Sequence, residues 1–336
     1  MKKISGIWAV LAGLIFLAGC GTDPSTGPPN TGDLLDPLLA PSAAAEIAAV
    51  ITELEGRTYP AGTLQFLETR SGTFADLSLV AYESAGHTIY GVLSQPKAAG
   101  TYPLVLYNHG GDNGMSATEL DHPLAAGFVQ AASSFRSEAV RWFGTDYQSE
   151  GTPSPWDRDV DDALVLLASA IQLPNVDPSR VWTVGGSRGG GVSLLAAIRL
   201  PDRFLGVVDV FGPTDFFDPA FRPAVDTLAA GGTDGRPGTE FLKETVLLPY
   251  LSGALSLAEG RQAMIRRSAM YFADRLPPVQ VHHGTADNVV PISQSERLVA
   301  RLRELGKPVE YYAYPGMGHE DVLGPEQIPR ILAFVK

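Results

Sequence analysis

A serine stands alone among glycines in the stretch VWTVGGSRGGGVSLLAAI, which covers residues 181–198. The β-branched apolar run before it predicts a short buried strand, and the small residues after it predict a helix. Gly185, Ser187 and Gly189 form the pattern G-x-S-x-G, in which a sharp strand-to-helix turn exposes the serine hydroxyl. A plain glycine-rich turn or a dinucleotide loop are the alternatives, although the glycines do not fit G-x-G-x-x-G with an acid about 20 residues on.

An aspartate and a histidine later in the chain could activate this serine. A serine hydroxyl is a weak nucleophile, so it needs a base, and the base needs a third group that orients it. Asp287 follows a predicted strand in HHGTADNVVP, 100 residues after Ser187, and His319 follows the last predicted strand in YPGMGHE, 32 residues further on. Both lie at the carboxyl ends of predicted strands, which is the edge of an open α/β sheet where ligand sites form.

The three motifs GGSRGG, HGTADNVVP and GMGHE, in this order and spacing, resemble the α/β-hydrolase catalytic domain of the prolyl oligopeptidase-like and dienelactone hydrolase-like families. The resemblance covers roughly residues 75–336 and includes the segment DRDVDDAL ahead of the serine. It implies that Ser187 is the nucleophile, that His319 is first the general base and then the general acid, and that Asp287 is the orienting carboxylate.

The same fold predicts where the oxyanion hole lies. One donor should be the backbone N–H of Arg188, the residue after the nucleophile, and the other an N–H from the loop after residues 104–107. That loop reads His109-Gly110-Gly111-Asp112. Gly111 is the first candidate and Gly110 the second, because a glycine N–H can face a developing charge without a side chain in the way. The alternative is that these are ordinary turn glycines.

We predict neither a metal nor a cofactor. His282, His283, Asp287 and His319 could be drawn as a zinc cluster, but neighbouring residues on a strand point to opposite faces. A calcium loop starting at residue 157 is rejected, because its sixth position is Asp162 instead of glycine and its twelfth is not glutamate.

Two arginines near these motifs have structural roles in our interpretation. The Arg188 side chain could face an anionic substrate group, but an ion pair with a nearby acid is favoured. Arg136, in SSFRSE, resembles an arginine that follows the fourth core strand in prolyl oligopeptidase-like domains, and we assign it a structural role.

The elements that must position these residues form an α/β pattern. Continuous apolar runs predict strands covered on both faces, and an alternating pair of runs joined by ESAGH predicts an antiparallel hairpin. We expect a mostly parallel, doubly wound sheet with an antiparallel edge, and a helical cap over about residues 214–276. The predicted strands cover residues 77–82, 88–93, 104–107, 128–132, 181–184, 206–210, 279–282 and 309–314, and the predicted helices cover 159–171, 192–199, 293–305 and 325–335.

The pattern at the amino end predicts an export signal. Lys2 and Lys3 precede the apolar residues 4–19, and the only cysteine of the chain, Cys20, closes LAGC. This resembles the lipobox of bacterial lipoproteins, which implies a signal peptide at residues 1–19 and lipidation of Cys20. An ordinary secretory signal is the alternative. Residues 20–45, rich in Pro, Gly, Thr and Ala, predict a flexible tether before a catalytic domain at residues 46–336.

Composition narrows the function classes. The chain of 336 residues has 45% hydrophobic and 18% charged residues, as a globular protein does. Its formal net charge of −12 repels phosphate backbones, so nucleic acid is not expected as a partner. A bacterial cell-envelope location with a lipid anchor at Cys20 is expected, and a secreted form is the alternative.

The main function hypothesis is a serine hydrolase that cleaves carboxylic esters, either of small molecules or linked to glycans, through an acyl-enzyme. Only residues 46–74 lie between the predicted tether and the sheet, which leaves no room there for a peptide-sieving propeller. A compact peptidase is the first alternative, and a lipid-anchored binding protein without catalysis is the second. Aromatic residues of the cap are expected to wall an acyl or alcohol pocket, with packing of the cap as their alternative role: Phe216, Phe217, Phe241, Tyr250, Tyr271 and Phe272.

Overall fold

The computed structural model describes residues 31–319 and 326–336. Its central element is a nine-stranded sheet. The strand order is β1-β2-β3-β6-β4-β9-β10-β11-β12, and β5, β7 and β8 form a separate small sheet. In chain order the strands are β1 (Gln65–Ser71), β2 (Ala75–Ser84), β3 (His87–Pro96), β4 (Tyr102–Asn108), β5 (Met115–Ser116), β6 (Val129–Ser133), β7 (Ala139–Trp142), β8 (Thr145–Gln148), β9 (Val176–Gly186), β10 (Gly206–Val210), β11 (Val279–Gly284) and β12 (Val309–Tyr314).

The predicted fold class is confirmed by the strand directions. Strands β1, β2, β3 and β6 pair antiparallel, and β6, β4, β9, β10, β11 and β12 pair parallel. The predicted hairpin is β2 with β3, in a register that sets Leu79 opposite Val92. Parallel strands bring their carboxyl ends to one edge, and the motifs with Ser187 and Asp287 both begin at that edge.

Helices cover both faces of the parallel strands. In β4, Leu104 belongs to the core cluster on one face and Val105 to the cluster on the other, and Val181 and Trp182 alternate in the same way in β9. Such runs are apolar throughout because neither face meets water. The α-helices are α1 (Thr31–Leu39), α2 (Ala44–Glu55), α3 (Arg158–Ala170), α4 (Arg188–Arg199), α5 (Arg222–Ala229), α6 (Thr239–Leu242), α7 (Leu248–Leu251), α8 (Leu257–Ile265), α9 (Ser293–Glu304) and α10 (Gln327–Phe334).

The predicted cap lies between β10 and β11. Residues 214–276, all of them described, contain the four helices α5 to α8, a π-helical segment at Lys243–Leu247 and short 3-10 turns. Helix α6, the π-helical segment and α7 follow one another without a break over residues 239–251, and Gly238, in a left-handed conformation with φ 77°, precedes this run.

The flexible tether predicted for residues 20–45 is wrong for the part that the structure describes. Residues 31–39 form α1, in which Leu35 and Leu38 are fully buried against the cap. The Arg261 guanidinium on α8 donates hydrogen bonds to the carbonyl oxygens of Pro37 and Leu38, at 2.9 and 3.1 Å. Within the described residues, the part of the chain packed on the cap therefore starts before residue 46 and includes α1.

The remaining N-terminal predictions fall on residues outside the described part. The signal peptide at residues 1–19, Cys20 and residues 21–30 belong to that group. Across residues 31–319 and 326–336, no helix is long and apolar enough to cross a membrane. The small sheet β5-β7-β8 was not predicted, because its strands have two to four residues and carry too little periodicity.

Candidate active site

Ser187 occupies a strained corner between β9 and α4. Its backbone has φ 54° and ψ −127°, a region that residues other than glycine rarely adopt. The neighbouring glycines make this corner possible by close approach: a Cβ on Gly189 would overlap the carbonyl oxygen of Asn108, and one on Gly185 would overlap that of Gly189. Strain of this kind persists where the surroundings fix it, and such sites are concentrated at functional residues.

The structure brings the three predicted residues together. His319 Nε2 lies 2.9 Å from Ser187 Oγ, and His319 Nδ1 lies 2.7 Å from Asp287 Oδ2. Each residue follows the carboxyl end of a different parallel strand: β9, β11 and β12. The chain of contacts runs from carboxylate to imidazole to hydroxyl, which is the geometry that lets a histidine take a proton from a serine.

Asp287 is held by more partners than the sequence indicates. Its side chain is fully buried, and Oδ1 accepts hydrogen bonds from the backbone N–H groups of Val289 and Val290, at 2.8 and 2.9 Å. Burial would raise the pKa of Asp287, but hydrogen bonds from His283, His319 and these two N–H groups outweigh it and hold the pKa well below its usual value. Asp287 is therefore ionised at neutral pH and oriented toward His319.

The predicted oxyanion residues surround the nucleophile. A Cβ on Gly110 would lie 3.2 Å from Ser187 Cβ, so the backbone of this loop passes directly beside the serine. Gly111 has φ +71°, which favours glycine. Gly110 and Gly111 line one cavity together with Ser187 and His319. Their role as donors, with that of the Arg188 N–H, stays a prediction.

The Arg188 side chain forms the predicted ion pair. It is 3% exposed, and its guanidinium contacts the carboxylates of Glu138 and Asp159 and donates a 3.0 Å hydrogen bond to the carbonyl oxygen of Gly111. Burial raises the pKa of Glu138 and of Asp159, an effect that Arg188 partly offsets. These contacts pair the guanidinium with two acids and link it to the loop that contains Gly111. Glu138 was not predicted, although it ends the segment SSFRSE, because 50 positions separate it from Arg188 in the sequence.

Two cavities meet at Ser187. One, of about 70 Å³, lies under the cap and is lined mainly by apolar side chains; we call it the capped pocket. The other, of about 380 Å³, opens beside His319 and the loop that contains Gly110 and Gly111. Ser187, Pro237 and Val289 line both, so they mark the divide between the two cavities.

Of the six cap aromatics expected to wall a pocket, only Phe216 does so, and Trp156 and Phe221 supply the other aromatic surface. The expectation is wrong for the other five, which pack the cap. Phe272 is fully buried in the core, and Tyr250 donates a hydrogen bond to the Leu34 carbonyl of α1. The rings of Phe217 and Tyr271 meet edge to face, and the ring of Phe241 lies beneath the guanidinium of Arg267.

The residues considered as metal ligands have other partners. His282 Nδ1 lies 2.7 Å from the Tyr314 hydroxyl, whereas His283 Nδ1 lies 2.7 Å from Ser295 Oγ, so the tandem histidines face different elements. Within the part of the chain that the structure describes, no group of three or more His, Cys, Asp or Glu residues could hold a metal ion.

The acidic residues at the start of α3 form ion pairs with arginines. Asp157 contacts Arg57 at 2.7 Å, and Asp161 contacts both Arg57 and Arg199. Arg136 pairs with the fully buried Asp162, which confirms its structural role.

Comparisons with known proteins agree with this architecture. The BD-FAE family model matches residues 91–302. The dipeptidyl peptidase family member 6 of Caenorhabditis elegans is 31% identical over 166 residues, which are 49% of this chain and 21% of that protein. NocK of Nocardia uniformis, named as an esterase, is 29% identical over 209 residues, which are 60% of this chain and 55% of that protein.

Solved structures share the fold. Acetyl xylan esterase 1 from Thermoanaerobacterium superposes with a TM-score of 0.62 at 19% identity, covering 87% of this chain and 92% of that one. This likeness supports the fold alone. The chain spans about a fifth of the length of the Caenorhabditis relative.

Proposed function

This chain belongs to the BD-FAE family, its catalytic site is that of an α/β serine hydrolase, and we propose that it cleaves carboxylic esters through an acyl-enzyme intermediate. In this proposal Ser187 is the nucleophile, His319 the proton carrier and Asp287 the group that fixes the imidazole. The substrate is a small-molecule or glycan-linked ester. No cofactor is required for the chemistry, because each step is a proton transfer or an acyl transfer.

The mechanism follows from the contacts around Ser187. His319 Nε2, 2.9 Å from Ser187 Oγ, accepts the hydroxyl proton as the oxygen attacks the ester carbonyl. The tetrahedral oxyanion is stabilised by the N–H of Arg188 with that of Gly111 or Gly110. His319 then gives the proton to the departing alkoxide, which leaves as the alcohol and opens the way for water to attack the acyl-enzyme.

One observation carries the ester assignment: the capped pocket that opens on Ser187 is lined mainly by apolar side chains. An extended peptide placed there would leave its backbone N–H and C=O groups without partners, whereas an acyl chain needs none. Esters also make lower demands on the site, because an alkoxide leaves more easily than an amine. A peptidase is the second candidate, because relatives such as the Caenorhabditis protein are named peptidases.

The experiment compares kcat/KM on matched p-nitrophenyl acyl esters and aminoacyl p-nitroanilides. The proposal expects far higher efficiency on the esters, and loss of ester turnover in Ser187→Ala and His319→Ala variants that remain folded. Equal or higher efficiency on the anilides would favour the peptidase. A wild-type protein that turns over neither substrate and does not react with a fluorophosphonate would favour a binding protein without catalysis.

We further propose that the protein is exported and held at a bacterial membrane through lipidated Cys20. The support is the apolar segment of residues 4–19 and the motif LAGC that ends with Cys20. More than one acyl chain is needed for stable anchoring, so the mature Cys20 should carry at least two. Mass spectrometry of the membrane fraction should find a lipidated Cys20 as the first residue, and an unmodified Cys20 there would refute the anchor. The formal charge of −12 argues against nucleic acid as a partner.

A further inference from the structure

Resting on the proposed ester hydrolysis, we propose that the capped pocket binds the acyl group and that the cavity beside His319 receives the alcohol. The pocket then selects aliphatic acyl chains longer than acetyl.

The directions around the tetrahedral carbon are set by the catalytic groups. One bond goes to Ser187 Oγ. The oxyanion must point to the backbone of Gly110, Gly111 and Arg188, and the leaving oxygen must lie near His319 Nε2, because His319 returns its proton to that oxygen. The acyl substituent takes the direction that remains.

The two cavities match these directions. The cavity beside His319 has His319, Gly110 and Gly111 in its lining, so the alcohol belongs on that side, next to the glycine donors of the oxyanion. The capped pocket is lined by Ser187 and Arg188 but not by His319 or the oxyanion glycines. An alcohol in the capped pocket would be out of reach of its proton donor. The acyl chain therefore enters under the cap.

The lining of the capped pocket suits a saturated chain. Its side chains are mainly aliphatic and come from α5, the segment around α6 and α8: Ala224, Val225, Leu228, Leu242, Val246, Leu247 and Met264. The polar side chains in the lining already have partners. Arg188 is paired with Glu138, and Arg236 lies 3.0 Å from Asp234. The Thr239 hydroxyl donates a hydrogen bond to the Arg236 carbonyl.

A polar acyl group would therefore lose its water without gaining hydrogen bonds in this pocket. An acetyl group presents a single methyl group to these side chains. Each methylene buried in an apolar site contributes about 0.8 kcal/mol, so kcat/KM should rise about fourfold per methylene until the pocket of about 70 Å³ is full. From acetate to butyrate, which adds two methylenes, the expected gain is about 15-fold.

The test measures kcat/KM on p-nitrophenyl acetate, butyrate, hexanoate and octanoate, and on one acyl group joined to different alcohols. Ala224→Phe places a ring in the capped pocket and should lower the octanoate-to-acetate ratio at least tenfold while the order of preference among alcohols is kept. Ala230→Phe, at an exposed alanine just after α5, makes the same change outside the pocket and serves as the matched control. Leu228→Ala enlarges the pocket and should move the optimum to a longer chain.

The outcomes separate this inference from the proposed function. Ester cleavage that is fastest on acetate in the wild type would refute the acyl assignment and leave the esterase proposal standing. A change of alcohol preference in Ala224→Phe at an unchanged acyl preference would show that the capped pocket holds the alcohol. Turnover of none of the esters would refute the proposed function itself. The wild-type series decides the matter even if a substituted protein fails to fold.

Discussion

Replacing Asp287 by asparagine should reverse the hydrogen-bond direction at His319. Asp287 Oδ1 accepts from the N–H groups of Val289 and Val290, and Oδ2 faces His319 Nδ1 at 2.7 Å. Asparagine has a single side-chain oxygen, and the two backbone donors require that oxygen at the Oδ1 position. Its NH₂ group must then face His319. The imidazole can satisfy this donor only by accepting at Nδ1, which leaves the ring proton on Nε2, toward Ser187.

A histidine in that tautomer cannot take the serine proton, so the loss falls on the chemical step. Ester hydrolysis by a serine hydrolase whose histidine has the wrong tautomer should be slower by about 10⁴-fold, which corresponds to about 5.5 kcal/mol of activation free energy. KM should change little, because Asp287 lies behind His319 and lines neither cavity. An alanine at the same position leaves Nδ1 free to bind water, so Asp287→Ala should be less impaired than Asp287→Asn despite its smaller side chain.

The assay is steady-state kinetics on a p-nitrophenyl ester, with thermal denaturation to establish that each variant is folded. Asn288→Asp changes the charge of the adjacent, exposed residue and should keep wild-type kcat. A folded Asp287→Asn protein that retains more than a tenth of the wild-type kcat would refute the argument from tautomers. An alanine variant slower than the asparagine variant would also contradict it.

Three further substitutions test the framework around the site. Burial raises the pKa of Asp209 from its usual value to about 6, so the contribution of this group to stability is full below about pH 4 and is lost as the pH rises to about 6. Over that interval the free energy of unfolding of Asp209→Asn should rise by about 3 kcal/mol relative to that of the wild type in denaturant titrations. Parallel pH dependences of the two proteins would refute this. Gly189→Ala forces a Cβ onto the Asn108 carbonyl and should give no soluble folded enzyme; a folded, active variant would contradict the close approach. Arg261→Met removes the donor that binds Glu46 and the carbonyls of residues 37, 38, 40 and 41, and should lower the free energy of unfolding by about 1–3 kcal/mol in urea titrations, with an unchanged midpoint as the contrary result.

The catalytic residues were predictable because their positions depend on strand ends. A parallel sheet brings the carboxyl ends of its strands to one edge, so a serine, an acid and a histidine that each follow a strand come together without further information. The glycines around Ser187 were visible for a related reason, since only a close backbone approach explains so many in one turn.

Helix α1 was missed because its stability comes from distant partners. Helix α1 contains a proline and a glycine, and its local composition resembles that of a linker. It is ordered by burial of Leu35 and Leu38 and by Arg261, more than 200 residues away in the chain. Local sequence patterns carry no information on such contacts.

The supports of the site were hidden for the same reason. Glu138 pairs with Arg188 from 50 positions away in the sequence. His283 contacts Asp287, but in the sequence it is simply one residue of a predicted strand. Which cap aromatics face the pocket also depends on how four short helices pack. The composition of the cap could indicate an apolar pocket, but it could not select Phe216 and Phe221 over Phe217 or Phe272.

The measurement that tests the central claim most directly is the site of covalent labelling by a fluorophosphonate. The wild-type protein should gain one adduct per chain by intact mass, with ester hydrolysis lost in proportion, and peptide mapping should place the adduct on Ser187. Ser187→Ala should gain none. An adduct on another serine, or full ester hydrolysis in a protein whose Ser187 is labelled, would contradict the assignment of Ser187 as the nucleophile.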